Sequence, residues 1–96
     1  MRLVTTDDAI LDVIETRRWY AERQEGLDLR FQRELDDALK KITERPTSFP
    51  AVARGVRRAQ LNRFPYLVFF RHSRDEIVIF AVTHGSRSDK WWRKRL

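Results

Sequence analysis

Residues 66–70 and 77–82 are apolar at every position. Side chains of a strand alternate between two faces. Read as one strand, Tyr66, Val68 and Phe70 point one way and Leu67 and Phe69 the other. Read as the next, Ile77, Ile79 and Ala81 oppose Val78, Phe80 and Val82. Ser73-Arg74-Asp75-Glu76 lies between them as a turn, which makes the pair a hairpin. A sheet built on such strands needs cover on both faces. An open apolar patch of several hundred Å² is a liability on a monomer.

The upstream residues supply cover for one face. Arg2-Leu3-Val4-Thr5 is a short candidate strand. Thr6 followed by Asp7 and Asp8 is a helix start, with a hydroxyl to cap it and carboxylates at its positive end. Ile10, Val13, Ile14, Arg17 and Ala21 recur at helical spacing with Tyr20 alongside, and Gly26 is the expected C-cap. A second helix is predicted over 28–44, where Phe31, Leu35, Ala38, Leu39 and Ile42 form one apolar stripe before Pro46 stops it. The short link around Gly26 makes the two helices an antiparallel hairpin. Residues 46–55 read as a loop pinned by Phe49, 56–61 as a strand, and Asn62-Arg63-Phe64-Pro65 as a turn.

The expected fold is therefore α+β, in the order β-α-α-β-β-β. A helical hairpin packs on a small antiparallel sheet in a single domain over residues 1–96, and the tail can add a short C-terminal helix. The second sheet face is left to the C-terminal tail, to a partner or to another copy of the chain. The expectation drawn from the strands is that another polypeptide completes it.

Charge divides the chain. Residues 1–45 carry nine Lys/Arg against eleven Asp/Glu, and residues 46–96 carry eleven against three. A strongly basic half points to an anionic partner, either nucleic acid or an acidic protein. There is no cysteine, which removes disulfides, thiolate metal sites and thiol nucleophiles and fits a reducing cytoplasm. No run of about 18 apolar residues is present to span a membrane, and the N-terminus lacks the apolar stretch of a secretory signal.

The residues with chemistry gather late in the chain. His84 and Arg87 follow the last strand, and Arg57, Arg58 and Arg63 lie on a preceding strand and turn. A histidine near neutral pKa with guanidinium groups is a kit for RNA cleavage. The base removes a 2′-hydroxyl proton and the cations stabilise the phosphorane. His84, Arg87 and Arg58 are the catalytic candidates on that reading, and Tyr66 or His84 would supply the acid. The basic Trp91-Trp92-Arg93-Lys94-Arg95 tail suits base stacking, partner docking or core closure, with at least one indole expected in the core. His72 and His84 sit among cations, so no metal site is expected, and no glycine-rich loop offers a nucleotide cofactor site.

The ordered set resembles a family. Gly26-Leu27-Asp28-Leu29-Arg30-Phe31 opens the second helix, with Leu35 following; Pro46, Phe49 and Pro50 come after it. Arg57-Arg58 and Arg63-Phe64-Pro65-Tyr66 lead into the central strand, and Ile77 to Val82 precede His84, Arg87, Trp92 and Arg95. In this order the chain resembles the RelE/ParE superfamily of toxins from bacterial type II toxin–antitoxin systems, the plasmid stabilisation proteins. The resemblance implies a cytoplasmic toxin without cofactor or metal, held in a hetero-oligomer by a cognate antitoxin whose arm wraps it. RelE-like members cleave mRNA on the ribosome and ParE-like members poison DNA gyrase. The strand 66–70 carries no cation before Arg71, which favours the gyrase-directed branch; Arg58, His84 and Arg87 keep the nuclease branch open. Arg57, Arg63, Tyr66, Phe69, Phe80, Trp91, Trp92 and Arg95 are the candidates for contacting target or antitoxin. A plain basic nucleic-acid-binding module is the remaining alternative.

Overall fold

The computed structural model describes all 96 residues. Strand β1 (Arg2–Thr5) leads into helix α1 (Asp7–Arg23). Thr6 Oγ1 accepts the Ala9 N–H at 3.2 Å, and Asp7 and Asp8 occupy the first turn, so the helix begins where the sequence placed it. Gly26 does not cap α1, which ends at Arg23 with Gln24 as its C-cap. It takes φ +82° immediately before α2 (Leu27–Glu44), a left-handed turn residue that lets the second helix reverse direction. The stripe on α2 is the predicted one: Phe31, Leu35 and Ile42 are buried, with Ala38 and Leu39 packed beside them.

The loop predicted over 46–55 contains more structure than the sequence suggested. A 3₁₀ turn at Pro46–Ser48 is followed by a short edge strand, β2 (Ala51–Ala53), which turns at Arg54–Gly55 into β3 (Val56–Gln60). Strands β4 (Tyr66–His72) and β5 (Glu76–His84) follow, then helix α3 (Asp89–Arg93). The sheet has five strands in the order β1-β5-β4-β3-β2. It is mixed rather than wholly antiparallel, because β1 runs parallel to β5.

Strict alternation fails once. Phe69 pairs with Ala81 and Phe70 with Ile79, so Phe80 is an extra residue, a β-bulge. Beyond it the faces exchange. Ala81 joins Phe80 on one side, and Val82 joins Ile77 and Ile79 on the other. The helical hairpin covers the face carrying Val68, Phe70, Ile77, Ile79 and Val82.

The opposite face carries Val56, Phe69, Phe80 and Ala81, and the chain closes it with its own tail. Trp92 of α3 is 2% exposed and stacks on Phe69 with centroids 4.8 Å apart and planes 20° apart. The expectation that another polypeptide completes this face is therefore overturned. One indole buries on the order of 200 Å², enough to seal the centre of a sheet this small.

The bulge and the tail are fastened together. β1 ends opposite Ile79, so the β5 edge is bare beyond it. There the Asp12 carboxylate accepts the Val82 N–H at 2.9 Å, and Arg95 donates to the Phe80 carbonyl at 3.0 Å. Arg95 also grips both Asp12 oxygens, at 2.6 and 2.9 Å. Asp12 thus links α1, the bulge and the C-terminus, and two edge groups that β1 leaves free, the Val82 N–H and the Phe80 carbonyl, are satisfied.

Candidate functional site

The sequence assigned α1 the apolar stripe Ile10, Val13, Ile14, Arg17 and Ala21. In the structure α1 buries Tyr20, which was expected alongside the stripe, but with it Ala9, Asp12 and Thr16, and of the stripe itself only Val13 packs against the core. Ile10 and Ile14 are 44% and 46% exposed. The rotation follows from Asp12, which must face the bulge to hold Val82 and Arg95. The displaced apolar residues line an open groove of about 590 Å³ between the helices, facing Leu35 and Leu39 of α2, with Ile79 and Val82 at its floor. Leu11 and Trp19 extend the exposed apolar surface along α1.

Arg17 enters this groove without firm partners. Its Nη atoms reach Gln32 Oε1 at 3.4 Å and Asp28 Oδ2 at 3.5 Å, and its Nε is buried with no acceptor. A guanidinium so placed has donors in hand for a carboxylate.

The late-chain candidates divide between the two faces of the sheet. Tyr66 and His84 are paired across β4 and β5 on the hairpin side, with ring centroids 5.4 Å apart. His84 Nδ1 accepts the Ser86 backbone N–H at 3.0 Å and lies 2.8 Å from Ser86 Oγ. That backbone bond occupies Nδ1 and leaves Nε2 as the ring nitrogen without a protein partner. Arg57 also lies on the hairpin side, where it donates to the Phe49 carbonyl at 2.6 Å and pins the loop before β2. Arg63 sits in the β3–β4 connection, its backbone N–H bound to Glu34 at 2.7 Å.

Arg58 is paired with Phe69 on the other face, so it stands across the sheet from His84. There it joins Phe69, Phe80 and Trp92, which are core. Trp91 is half-buried, with the Arg87 and Arg95 guanidiniums 4.6 and 4.1 Å from its ring centroid. The Asp12 hydrogen bond, partly offset by burial, raises the Arg95 pKa above the ordinary arginine value and keeps it charged. Two cations that were noted in the sequence but not counted among the site candidates belong to the same face. Arg71 lies 5.4 Å from the Phe80 ring centroid, and Arg93 lies 4.6 Å from that of Trp92. A signal for Arg71 existed in the register, since it continues the Leu67, Phe69 alternation. No group of three His, Asp or Glu side chains is placed to hold a metal ion.

Solved structures with similar folds include one described as the chromosomal ParDE toxin–antitoxin system from P. aeruginosa. That likeness covers 88% of this chain and 95% of the other at 24% identity, with a TM-score of 0.74. The isolated E. coli RelE toxin matches over 97% of this chain and 93% of its own at 15% identity, with a TM-score of 0.62. At these identities the likeness is one of fold. Among curated proteins, none matches the chain in sequence. The family described as the ParE toxin of the type II toxin–antitoxin system, parDE, matches residues 3–89, which hold the hairpin, the groove and all of the sheet but Arg2. The chain belongs to the ParE toxin family of type II toxin–antitoxin systems.

Proposed function

We propose that this toxin arrests growth by acting on DNA gyrase, and that a cognate antitoxin neutralises it by laying an amphipathic acidic arm in the groove between α1 and α2. The observation that carries the antitoxin part is the exposed pair Ile10 and Ile14 facing Leu35 and Leu39. Aliphatic side chains at helical spacing fill such a groove. A carboxylate on the arm meets Arg17, whose own contacts are long. The ParDE neighbour, whose name gives a toxin–antitoxin pair, supports the same partner.

Gyrase is favoured over mRNA by two features. Arg58 and His84 stand on opposite faces, and His84 Nδ1 is already occupied. A ribonuclease needs its base and its phosphate-binding cations around one scissile bond. The cation-rich α3 face is the feature that favours the second reading, mRNA cleavage on the ribosome. Inducing the toxin alone, and with its antitoxin, separates the readings. Gyrase poisoning gives trapped double-strand breaks while cellular mRNA stays intact. Cleaved mRNA that disappears in His84→Ala or Arg87→Ala would move the assignment to the nuclease.

A further inference from the structure

We infer that the α3 face is a docking surface for the phosphate backbone of duplex DNA, contacted without reading its sequence. The inference goes beyond the toxin reading and can be measured without gyrase or antitoxin, so either can fail alone. Arg58, Arg71, Arg87 and Arg93 all lie on or around the Phe69, Phe80 and Trp92 cluster, and none of them joins the three ion pairs of the chain. The carboxylates nearby are few and mostly engaged: Asp12 is held by Arg95, which Asp8 and Glu15 also face. Glu76 is held by Arg2 at 2.6 Å, and Asp89 receives the Trp92 Nε1–H at 3.4 Å. Lys90 on α3 and Lys94 just after it add exposed charge.

The rings hold these cations in place. A guanidinium resting on an aromatic face keeps its in-plane N–H donors free, and those donors match phosphate oxygens. Arg71 on Phe80, Arg93 on Trp92 and Arg87 on Trp91 each present their donors from beside a ring.

The same contacts select the ligand. Proteins that hold single strands stack bases on open aromatic faces. Here Trp91 lies beneath two guanidiniums, Trp92 is buried between Phe69 and Arg93, and Phe80 carries Arg71. No open ring is offered to a base. The five-residue α3 is too short to read a groove, so base-specific contact is not expected. Phosphate contact on a duplex is what remains, and it is governed by salt.

The test is fluorescence anisotropy of the full chain with a labelled 20-base-pair duplex between 50 and 200 mM salt. Four phosphate contacts give a slope of log K against log salt of about −3.6, a loss of about a hundredfold over that range. Arg71→Gln with Arg93→Gln should bring the slope to about −1.8. Arg30→Gln with Arg33→Gln, on the outer side of α2, should leave it within error. Near-UV circular dichroism of the tryptophans establishes that each variant is folded. Four results would each overturn the inference: no duplex binding at 50 mM salt, tighter binding of the single strand, equal binding of an oligoglutamate of matched charge, or equal loss from the α2 pair.

Discussion

Replacing Arg95 with glutamine removes the bidentate grip on Asp12 and the donor to the Phe80 carbonyl in one step. Asp12 is left with the Val82 N–H alone, in a site where its side chain is 9% exposed and that of Arg95 is 19% exposed. Breaking one side of a buried pair costs about 3–5 kcal/mol, because the remaining charge stays desolvated. The partial exposure of Arg95 places the cost near the lower end, about 3 kcal/mol. The Arg2–Glu76 pair is as short, at 2.6 Å, but its side chains are 76% and 33% exposed. Arg2→Gln should cost no more than about 0.5 kcal/mol. Urea unfolding followed by tryptophan fluorescence measures both. With a slope of about 1.5 kcal/mol per molar urea, Arg95→Gln moves the midpoint down by about 2 M. The raised Arg95 pKa means this contribution persists below the ordinary arginine range and is lost only as pH rises through the higher folded value, so the cost is the same at pH 7 and pH 9. If Arg95→Gln and Arg2→Gln shift the midpoint equally, the clasp is not what secures the C-terminus.

Trp92→Ala should cost about 3–5 kcal/mol and raise binding of a hydrophobic dye, since it uncovers Phe69 and Phe80; an unchanged dye signal would contradict the closure described for that face. The Tyr20 pKa is raised, first by burial and then by Tyr66. The folded state therefore keeps this proton longer than the unfolded one, and stability falls as pH rises above about 10, by at most about 1.4 kcal/mol per pH unit for this group. Tyr20→Phe should flatten that alkaline limb in urea titrations at pH 9 and pH 10.5, and an equally steep limb would assign it elsewhere.

How much was legible varies by element, for physical reasons. The α2 stripe could be read because Phe31, Leu35 and Ile42 follow the helical period and nothing competes with them. Strands β4 and β5 could be read because both runs are short, rich in β-branched and aromatic residues and bounded by turn residues. The α1 orientation could not. Ile10, Val13 and Ile14 make one stripe, while Ala9, Asp12, Thr16 and Tyr20 make another at the same period; the second won through Asp12, whose partners Val82 and Arg95 lie 70 and 83 residues away. The bulge at Phe80 was invisible for the same reason, since the groups that satisfy it are distant in sequence. The site candidates were found as residue types, but their separation into two faces depended on strand register. Arg58 and His84 look like neighbours in a list of cations and are not neighbours across the sheet.

Closure of the sheet by Trp92 and Arg95 changes what a partner has to cover. The strand hairpin is already sealed. The apolar surface left over is on the helices, where an α1 rotated by its one buried carboxylate turns isoleucines outward. On this account the device that fixes the C-terminus also creates the groove proposed for the antitoxin arm.

The most direct test of that account is the binding of purified cognate antitoxin to Ile10→Glu with Ile14→Glu, by calorimetry on protein whose urea midpoint has been measured. Both side chains are about half exposed, so the variant should keep a near-normal midpoint while its affinity falls by at least a hundredfold, about 2.7 kcal/mol. Unaltered affinity in a folded variant would show that the arm lies elsewhere and that the groove is not the docking surface.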